Sequence, residues 1–246
     1  MKPSLINARG KVALVTGAAG GIGRATVSLL RSAGAHVATF DRTVKGLPPE
    51  GADVLRFAGD AADERIVRTA VRETARQFGK IDYIVSATGA AGAGTIAETS
   101  LEDWRRLMDV NLTSAFLLCR EAHKHLRKPG AAVVLFSSTN GRTGGTAVSG
   151  PAYAAARAGV LNLTRHLARE WARSGVRVNC IAPGPVATPM LDRLTGAKHA
   201  ASGDSIPLKR YSEARELAGI VAFLLSPYAA SVTGACLNVS GGLVLD

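Results

Sequence analysis

Tyr153 and Arg157 form a pair of side chains suited to moving a proton. They lie four residues apart in a segment that begins near Pro151, a residue typical of a helix's first turn, so they should share one helix face. A phenol serves as a general acid or base near neutral pH when a nearby cation stabilises its phenolate. Ser138, at the end of a strand-like run, could hydrogen-bond the same reacting oxygen. The pattern favours proton transfer at a carbonyl or alcohol oxygen. Taken alone, a Tyr–Arg pair is more often a solvated helix face.

A glycine-rich turn follows the first apolar run. Residues 12–24 read VALVTGAAGGIGR, the order strand, glycine loop, helix. Glycines let the backbone approach an anion closely, and the free N–H groups of a helix start can hold a pyrophosphate. A tight turn with no ligand is the alternative. The residues expected to contact a dinucleotide here are Gly17, Ala19, Gly21, Ile22 and Gly23.

Asp41 ends the second strand-like run, eighteen residues after Gly23. A carboxylate at that place can accept hydrogen bonds from the adenosine ribose hydroxyls, and it would repel a 2′-phosphate. NAD is therefore favoured over NADP, a preference that the neighbouring Arg42 could soften. Asp41 could instead cap a turn.

The composition describes one ordinary folded domain over residues 1–246. Hydrophobic residues make up 47% and charged residues 20%, which excludes a disordered chain. The net charge is +11, but aromatic residues are only 5% and the basic residues are scattered, so nucleic acid is not an expected partner. Three separated cysteines suit neither a disulfide framework nor a metal site. No apolar run is long enough for a membrane helix and the start lacks a secretory signal, so we expect a cytoplasmic protein.

Strand-like and helix-like patterns alternate along the whole chain. This order, with apolar strands, predicts an α/β fold with a Rossmann-like, doubly wound, seven-stranded parallel sheet. Residues 188–207 are long and polar enough for a lid or substrate loop. The predicted strands are 12–15, 36–40, 54–57, 81–85, 132–136, 176–181 and 235–239, and the predicted helices are 22–33, 63–78, 101–126, 152–173 and 213–225.

These motifs, in this order, resemble the short-chain dehydrogenase/reductase family over nearly the whole chain. Within it the sequence is most similar to β-ketoacyl carrier-protein reductases and related NAD(P)-dependent alcohol and ketone oxidoreductases. The motifs that carry the resemblance are TGAAGGIG at 16–23, Asp41, Asp60 with Ala61, DVNL at 109–112, Ser138 with Gly141, Tyr153, VNCIAPG at 178–184, TPM at 188–190, and the tail from Thr233 to Gly242.

The resemblance implies the site residues and the partners. Tyr153 would be the general acid/base, Ser138 would hydrogen-bond the reacting oxygen, and Asn111 would position a water or backbone beside it. It also implies a small alcohol, ketone or acyl-thioester substrate and a homotetramer. The further residues it places on the cofactor are Asp60, Ala61, Ala87, Thr88, Gly89, Tyr153, Arg157, Pro183, Gly184, Val186 and Thr188.

Two positions depart from the family pattern. Arg157 stands where the family has lysine; a guanidinium can hold the ribose and bias Tyr153 toward phenolate, but it does not readily release a proton. Residues 86–89 read SATG in place of the family's NNAG. Two hypotheses follow: an NAD(H)-dependent oxidoreductase with Tyr153 as acid/base, or a dinucleotide-binding protein with little or no catalysis.

The substrate pocket should be formed by residues 90–95, 139–145 and 188–207. Arg142 and Lys198 in these stretches are candidate anion anchors, which favours an acidic or activated acyl substrate. Cys119 and Cys180 are expected in the core.

Overall fold

The computed structural model describes residues 6–195 and 203–245. A parallel sheet of seven strands has the order β3-β2-β1-β4-β5-β6-β9, and a separate pair of short strands, β7 and β8, lies outside it. This confirms the predicted seven-stranded Rossmann-like α/β fold. The strands are β1 Val12–Thr16, β2 His36–Asp41, β3 Val54–Ala58, β4 Tyr83–Ser86, β5 Ala132–Phe136, β6 Arg177–Pro183, β7 Val186–Ala187, β8 Ser212–Glu213 and β9 Cys236–Val239.

Helices cover both faces of the sheet and form two apolar clusters with it. Helices α2, α4 and α6 contribute to one cluster, and α1 and α8 to the other. Every residue of β1, β4 and β5 is buried, which is why these strands read as continuous apolar runs. The helices are α1 Gly21–Ser32, α2 Glu64–Phe78, α3 Leu101–Met108, α4 Ser114–Ala122, α5 Asn140–Thr143, α6 Pro151–Trp171, α7 Pro189–Thr195 and α8 Ala214–Leu225.

The continuous helix predicted over residues 101–126 is wrong in its middle. A π-helical turn at Asp109–Thr113 separates α3 from α4, and a 3₁₀ turn at His123–His125 follows. The Asn111 side-chain Nδ2 donates to the Leu107 carbonyl oxygen at 2.8 Å, the carbonyl four residues earlier that an α-helical N–H would use. The Asn111 side chain thus lies where the helix widens into a π-turn, a change that the spacing of apolar residues does not predict.

The predicted lid is partly regular. Helix α7 begins at Pro189, and the strands β7 and β8 pair Val186 with Ser212 and Ala187 with Glu213. This short parallel ladder joins the two ends of the segment. No helix within the described residues is both long and apolar enough to cross a membrane.

The strand order reverses between β1 and β4, which are neighbours although β2 and β3 lie to the other side of β1. In doubly wound sheets, a crevice opens at the carboxyl ends of the strands where the order reverses. The glycine loop after β1 and residues 87–89 after β4 meet at this point.

Candidate active site

Tyr153 and Arg157 lie on one face of α6, as their spacing predicts. The guanidinium carbon of Arg157 is 5.2 Å from the centre of the Tyr153 ring. Arg157 is only 6% exposed, so the alternative that the pair forms a solvated helix face is wrong. A buried cation next to the ring is attracted by the ring's π-electrons, so the two side chains form one packed unit.

The Arg157 guanidinium is held by main-chain oxygens at the ends of two strands. Its Nη1 donates to the Phe136 carbonyl oxygen at 2.7 Å and its Nη2 to the Thr88 carbonyl oxygen at 3.3 Å. Its Nε is buried without a hydrogen-bond acceptor, and no carboxylate within the described residues pairs with it. The side chain is thus a rigid, uncompensated cation tied to β5 and to the loop after β4.

Asn111 is buried and engages only the main chain. Its Oδ1 accepts from the Ala90 N–H at 3.1 Å, and its Nδ2 donates to the carbonyl oxygens of Ala90 and Leu107, both at 2.8 Å. The structure therefore places Asn111 as a clamp between the π-helical turn and the loop after β4. It fixes the backbone one residue beyond Gly89.

A cavity of about 500 Å³ brings Ser138, Tyr153 and Arg157 together. Ser138 follows β5 and its Oγ accepts from the Asn140 N–H at 3.2 Å, which leaves the hydroxyl proton to donate. The Tyr153 hydroxyl makes no hydrogen bond within the described residues. Besides Tyr153 and Arg157, six of the predicted cofactor residues line the same cavity: Ile22, Ala87, Pro183, Gly184, Val186 and Thr188.

The glycine loop packs too closely for side chains. Gly17 has a φ of 67°, and a Cβ there would lie 2.5 Å from the carbonyl carbon of Ala87. A Cβ on Gly21 would lie 2.4 Å from Cγ2 of Thr188. Helix α1 starts with no capping side chain and no acid in its first turn, so its N-terminal amides and dipole suit a bound anion. The loop thus fits the pyrophosphate of a dinucleotide.

Asp41 lies beside the glycine loop, at the end of β2. Its Oδ2 accepts from the Ala19 N–H at 3.0 Å and its Oδ1 from the Thr43 N–H at 3.4 Å. The carboxylate is partly exposed and Arg42 is exposed. Asp60 caps a turn by accepting from the Ala62 N–H at 2.9 Å, and the adjacent Ala61 is buried. The four predicted cofactor residues Asp41, Arg42, Asp60 and Ala61 do not line the cavity that holds Tyr153.

The predicted substrate pocket needs corrections. Arg142 does not line the cavity: it contacts Cys236 on β9 instead, because α5 carries Asn140 and Arg142 on different sides. Gly92 and Ala93 line a separate cavity of about 340 Å³ next to α3. Lys198 lies outside the described residues. Residues that sequence reasoning missed include Tyr211 and Leu243, whose distance from the other motifs gave no signal.

Tyr211 is positioned by an ion pair at the start of α8. The Arg210 guanidinium donates to both carboxylate oxygens of Glu216, at 2.8 and 2.7 Å. Glu216 Oε2 also accepts from the Glu213 N–H, at 2.7 Å. These hydrogen bonds, led by that from Arg210, lower the pKa of Glu216 to about 2. The Arg210–Glu216 pair thus holds in place the residues that connect the predicted lid to α8.

Comparisons with known proteins show the family of the chain. A family model described as enoyl-(acyl carrier protein) reductase matches residues 17–244. The chain is 38% identical to the cis-4-hydroxycyclohexanecarboxylate dehydrogenase of Sinomonas cyclohexanicum, over 94% of this chain and 96% of that protein. It is 34% identical to a 3-oxoacyl-(acyl-carrier-protein) reductase of Vibrio cholerae, over 98% of this chain and all of that one.

A solved structure is similar over the same length. The short-chain dehydrogenase/reductase described as glucose/ribitol dehydrogenase from Brucella melitensis has a TM-score of 0.92 and 31% identity, over 98% of this chain and 99% of that one. The chain therefore belongs to the short-chain dehydrogenase/reductase family, whose members use a nicotinamide dinucleotide, and it is an oxidoreductase for alcohol or keto groups.

Proposed function

We propose that the protein is an NAD(H)-dependent oxidoreductase that interconverts a secondary alcohol and its ketone, with Tyr153 as the general acid/base. The observation that carries the proposal is the convergence of Ser138, Tyr153 and the buried Arg157 cation on one cavity. That cavity opens at the crevice to which the glycine loop also belongs.

The protein's own residues handle the oxygen of the substrate. Tyr153 gives a proton to the carbonyl oxygen during reduction and takes one from the alcohol during oxidation. Ser138 donates a hydrogen bond to the same oxygen and stabilises the charge that develops on it. A bound nicotinamide dinucleotide supplies or accepts the hydride.

Arg157 and Asn111 prepare the site in different ways. Arg157 acts as a fixed positive charge next to Tyr153, and its hydrogen bonds to Phe136 and Thr88 hold the ends of two strands in place. Asn111 holds Ala90 through two hydrogen bonds and donates a third to the Leu107 carbonyl oxygen. Neither side chain needs to exchange a proton in this scheme.

The cofactor is NAD rather than NADP in this proposal. Asp41 places a carboxylate next to Ala19 of the glycine loop, where a ribose hydroxyl can donate to it and a 2′-phosphate is repelled. The amides at the start of α1 would hold the pyrophosphate. The residues assigned to the cofactor are Gly17, Ala19, Gly21, Ile22, Gly23, Asp41, Arg42, Asp60, Ala61, Ala87, Thr88, Gly89, Tyr153, Arg157, Pro183, Gly184, Val186 and Thr188.

The substrate is uncharged in this proposal. Among the described residues that line the cavity, Arg157 is the one charged side chain, and two main-chain oxygens already occupy its Nη groups. The rest of the lining combines hydroxyl groups, such as Thr139 and Tyr211, with apolar side chains, such as Met190. A neutral alcohol, ketone or 3-oxoacyl chain brings no charge of its own into this lining.

Turnover with NADH and paired substrates tests the proposal. 4-Methylcyclohexanone and 4-oxocyclohexanecarboxylate share a ring ketone and differ in charge; we expect the neutral ketone to be reduced with the higher kcat/KM. Tyr153→Phe should abolish turnover, yet NADH should still raise the melting temperature. A higher kcat/KM for 4-oxocyclohexanecarboxylate would contradict the proposal that the substrate is neutral, but not the proposal that the protein is an oxidoreductase. NADH binding without turnover over a broad ketone and alcohol panel would overturn the enzyme assignment in favour of a binding protein.

The proposal includes a homotetramer. Two exposed apolar side chains, Leu208 and Leu245, lie around a groove between α8 and the last strand. Apolar surface of this kind is often covered in an assembly. Light scattering coupled to size exclusion should give four times the chain mass, and a monomer would contradict this part.

A further inference from the structure

Two cysteines lie side by side on neighbouring strands at the edge of the sheet. Cys180 of β6 and Cys236 of β9 are direct partners in the parallel register. Both side chains pack on the same face, against the cluster formed with α2, α4 and α6. Neighbouring strands are about 4.8 Å apart, within the range of Cα separations that a disulfide spans.

The two thiols differ in accessibility and in charge environment. Cys180 is fully buried, whereas Cys236 is partly exposed on the edge strand. The Cys180 thiol donates to the Cys236 sulfur, and the Arg142 guanidinium of α5 donates to that sulfur too. Arg165 of α6 adds a second positive charge nearby.

This environment favours the thiolate at one of the two sulfurs. The hydrogen bond from Cys180, followed by the charge of Arg142, lowers the pKa of the Cys236 thiol. The pKa of Cys180 is raised by its hydrogen bond to Cys236 and by burial. The third cysteine, Cys119 on α4, has its pKa raised to about 12 by burial alone. The nucleophile is therefore Cys236, because it is the partly exposed sulfur of the two and the thiolate is the reactive form.

We propose that Cys236 is a redox modification site, at which a hydroperoxide converts Cys236 and Cys180 into an intrachain disulfide. The Cys236 thiolate attacks the peroxide oxygen and breaks the O–O bond, which gives a sulfenic acid and releases an alcohol or water after protonation. The Cys180 thiol then attacks the sulfenic sulfur, forms the S–S bond and releases water. Two electrons pass from the two sulfurs to the peroxide.

The modification would act next to the candidate active site. Arg142 belongs to α5, the short helix that also carries Asn140 of the substrate cavity. Gly141 on the same helix packs so closely on α6 that a Cβ there would lie 2.7 Å from the Arg157 carbonyl carbon. Disulfide formation removes the thiolate that Arg142 contacts, so α5 loses a partner on its outer side.

Thiol counting and intact mass test this proposal without reference to enzymatic activity. After brief treatment of the full chain with hydrogen peroxide, the three thiols titrated in denaturant should fall to one, with the mass lower by two hydrogen atoms. Dithiothreitol should restore all three. Cys119→Ser should still lose two thiols, whereas in Cys180→Ser the remaining partner, Cys236, should gain oxygen. Three thiols after treatment, or loss only through disulfide-linked dimers, would overturn the proposal.

Alkylation kinetics test the role of Arg142. Iodoacetamide at neutral pH should label Cys236 first, and Arg142→Gln should slow that labelling roughly tenfold, because the thiolate loses its nearest cation. Arg142→Lys should retain most of the rate. Arg72→Gln removes an exposed charge of α2 and is the matched control, expected to leave the rate unchanged. Equal rates in all of these variants would show that Cys236 is not activated by its surroundings.

Discussion

The Arg157 guanidinium fills the space that a side chain at position 89 would need. A Cβ built on Gly89 would lie 1.9 Å from Nη2 of Arg157 and 3.1 Å from Oδ1 of Asn111. Arg157, which replaces the family's lysine, thus fits because position 89, against which its guanidinium packs, is a glycine. The loop after β4 and helix α6 form one unit around the cation.

Substitution of Gly89 by alanine should be severe in the natural chain and mild when Arg157 is changed too. The added methyl group collides with the guanidinium and with Asn111, so we expect Gly89→Ala to lower the melting temperature and to remove most turnover. In the Arg157→Lys background the same change should do less harm. A double-mutant cycle of unfolding free energies measures this coupling. Additive effects would contradict the contact between the two residues.

Arg157→Lys should not improve the enzyme, although it restores the family's residue. A single ammonium group is poorly placed to reach the carbonyl oxygens of both Phe136 and Thr88, so one buried acceptor loses its partner. The expected loss is about 1–3 kcal/mol of unfolding free energy, together with reduced kcat. Chemical denaturation and NADH-coupled assays measure both. Higher kcat in Arg157→Lys would show that proton relay through lysine outweighs the fixed guanidinium.

Asp41 should control the choice between the two dinucleotides. Removal of its charge in Asp41→Asn retains an acceptor for the Ala19 N–H but takes away the repulsion of a 2′-phosphate. We expect NADPH to bind roughly tenfold more tightly, since repulsion between nearby charges is worth about 1 kcal/mol or more in a solvated site, and NADH to bind less tightly. Isothermal titration of each cofactor measures the change. An unaltered ratio of the two dissociation constants would exclude Asp41 from the ribose site.

The Arg210–Glu216 pair should make stability at the base of the lid sensitive to acid. Because the pKa of Glu216 in the folded protein is about 2, below its ordinary value of 4.5, its stabilisation is complete above pH 4.5. It is lost as the pH falls from there toward 2. The pair is partly exposed, so the contribution is at most about 1 kcal/mol. The stability difference between the natural chain and Glu216→Gln should shrink over this range. A difference independent of pH would contradict the assignment.

Much of the fold could be predicted from the sequence because its signals are local. Apolar β-branched runs located all seven strands of the main sheet, and β5 was predicted with its observed limits, Ala132–Phe136. The partners of side chains could not be predicted in the same way. That Arg157 would bond to Phe136 and Thr88 depends on three segments meeting, and so does the pairing of Cys236 with Cys180 and Arg142. The π-helical turn at Asp109–Thr113 was not predicted either. It contains Asn111, whose hydrogen bonds to Ala90 and Leu107 leave no trace in the spacing of apolar residues.

Because of the β7–β8 ladder, the stability of the protein depends little on the length and sequence of the segment between these two strands. Since the two strands hold Val186–Ala187 next to Ser212–Glu213, the ends of the intervening segment are already joined. The entropy of closing a loop grows only with the logarithm of its length, about 0.6 kcal/mol for each doubling. Insertions, deletions or grafts within this segment are therefore inexpensive to stability. The architecture allows the substrate range to change by replacement of the part of this segment that follows Thr188, with Ser138 and Tyr153 unchanged.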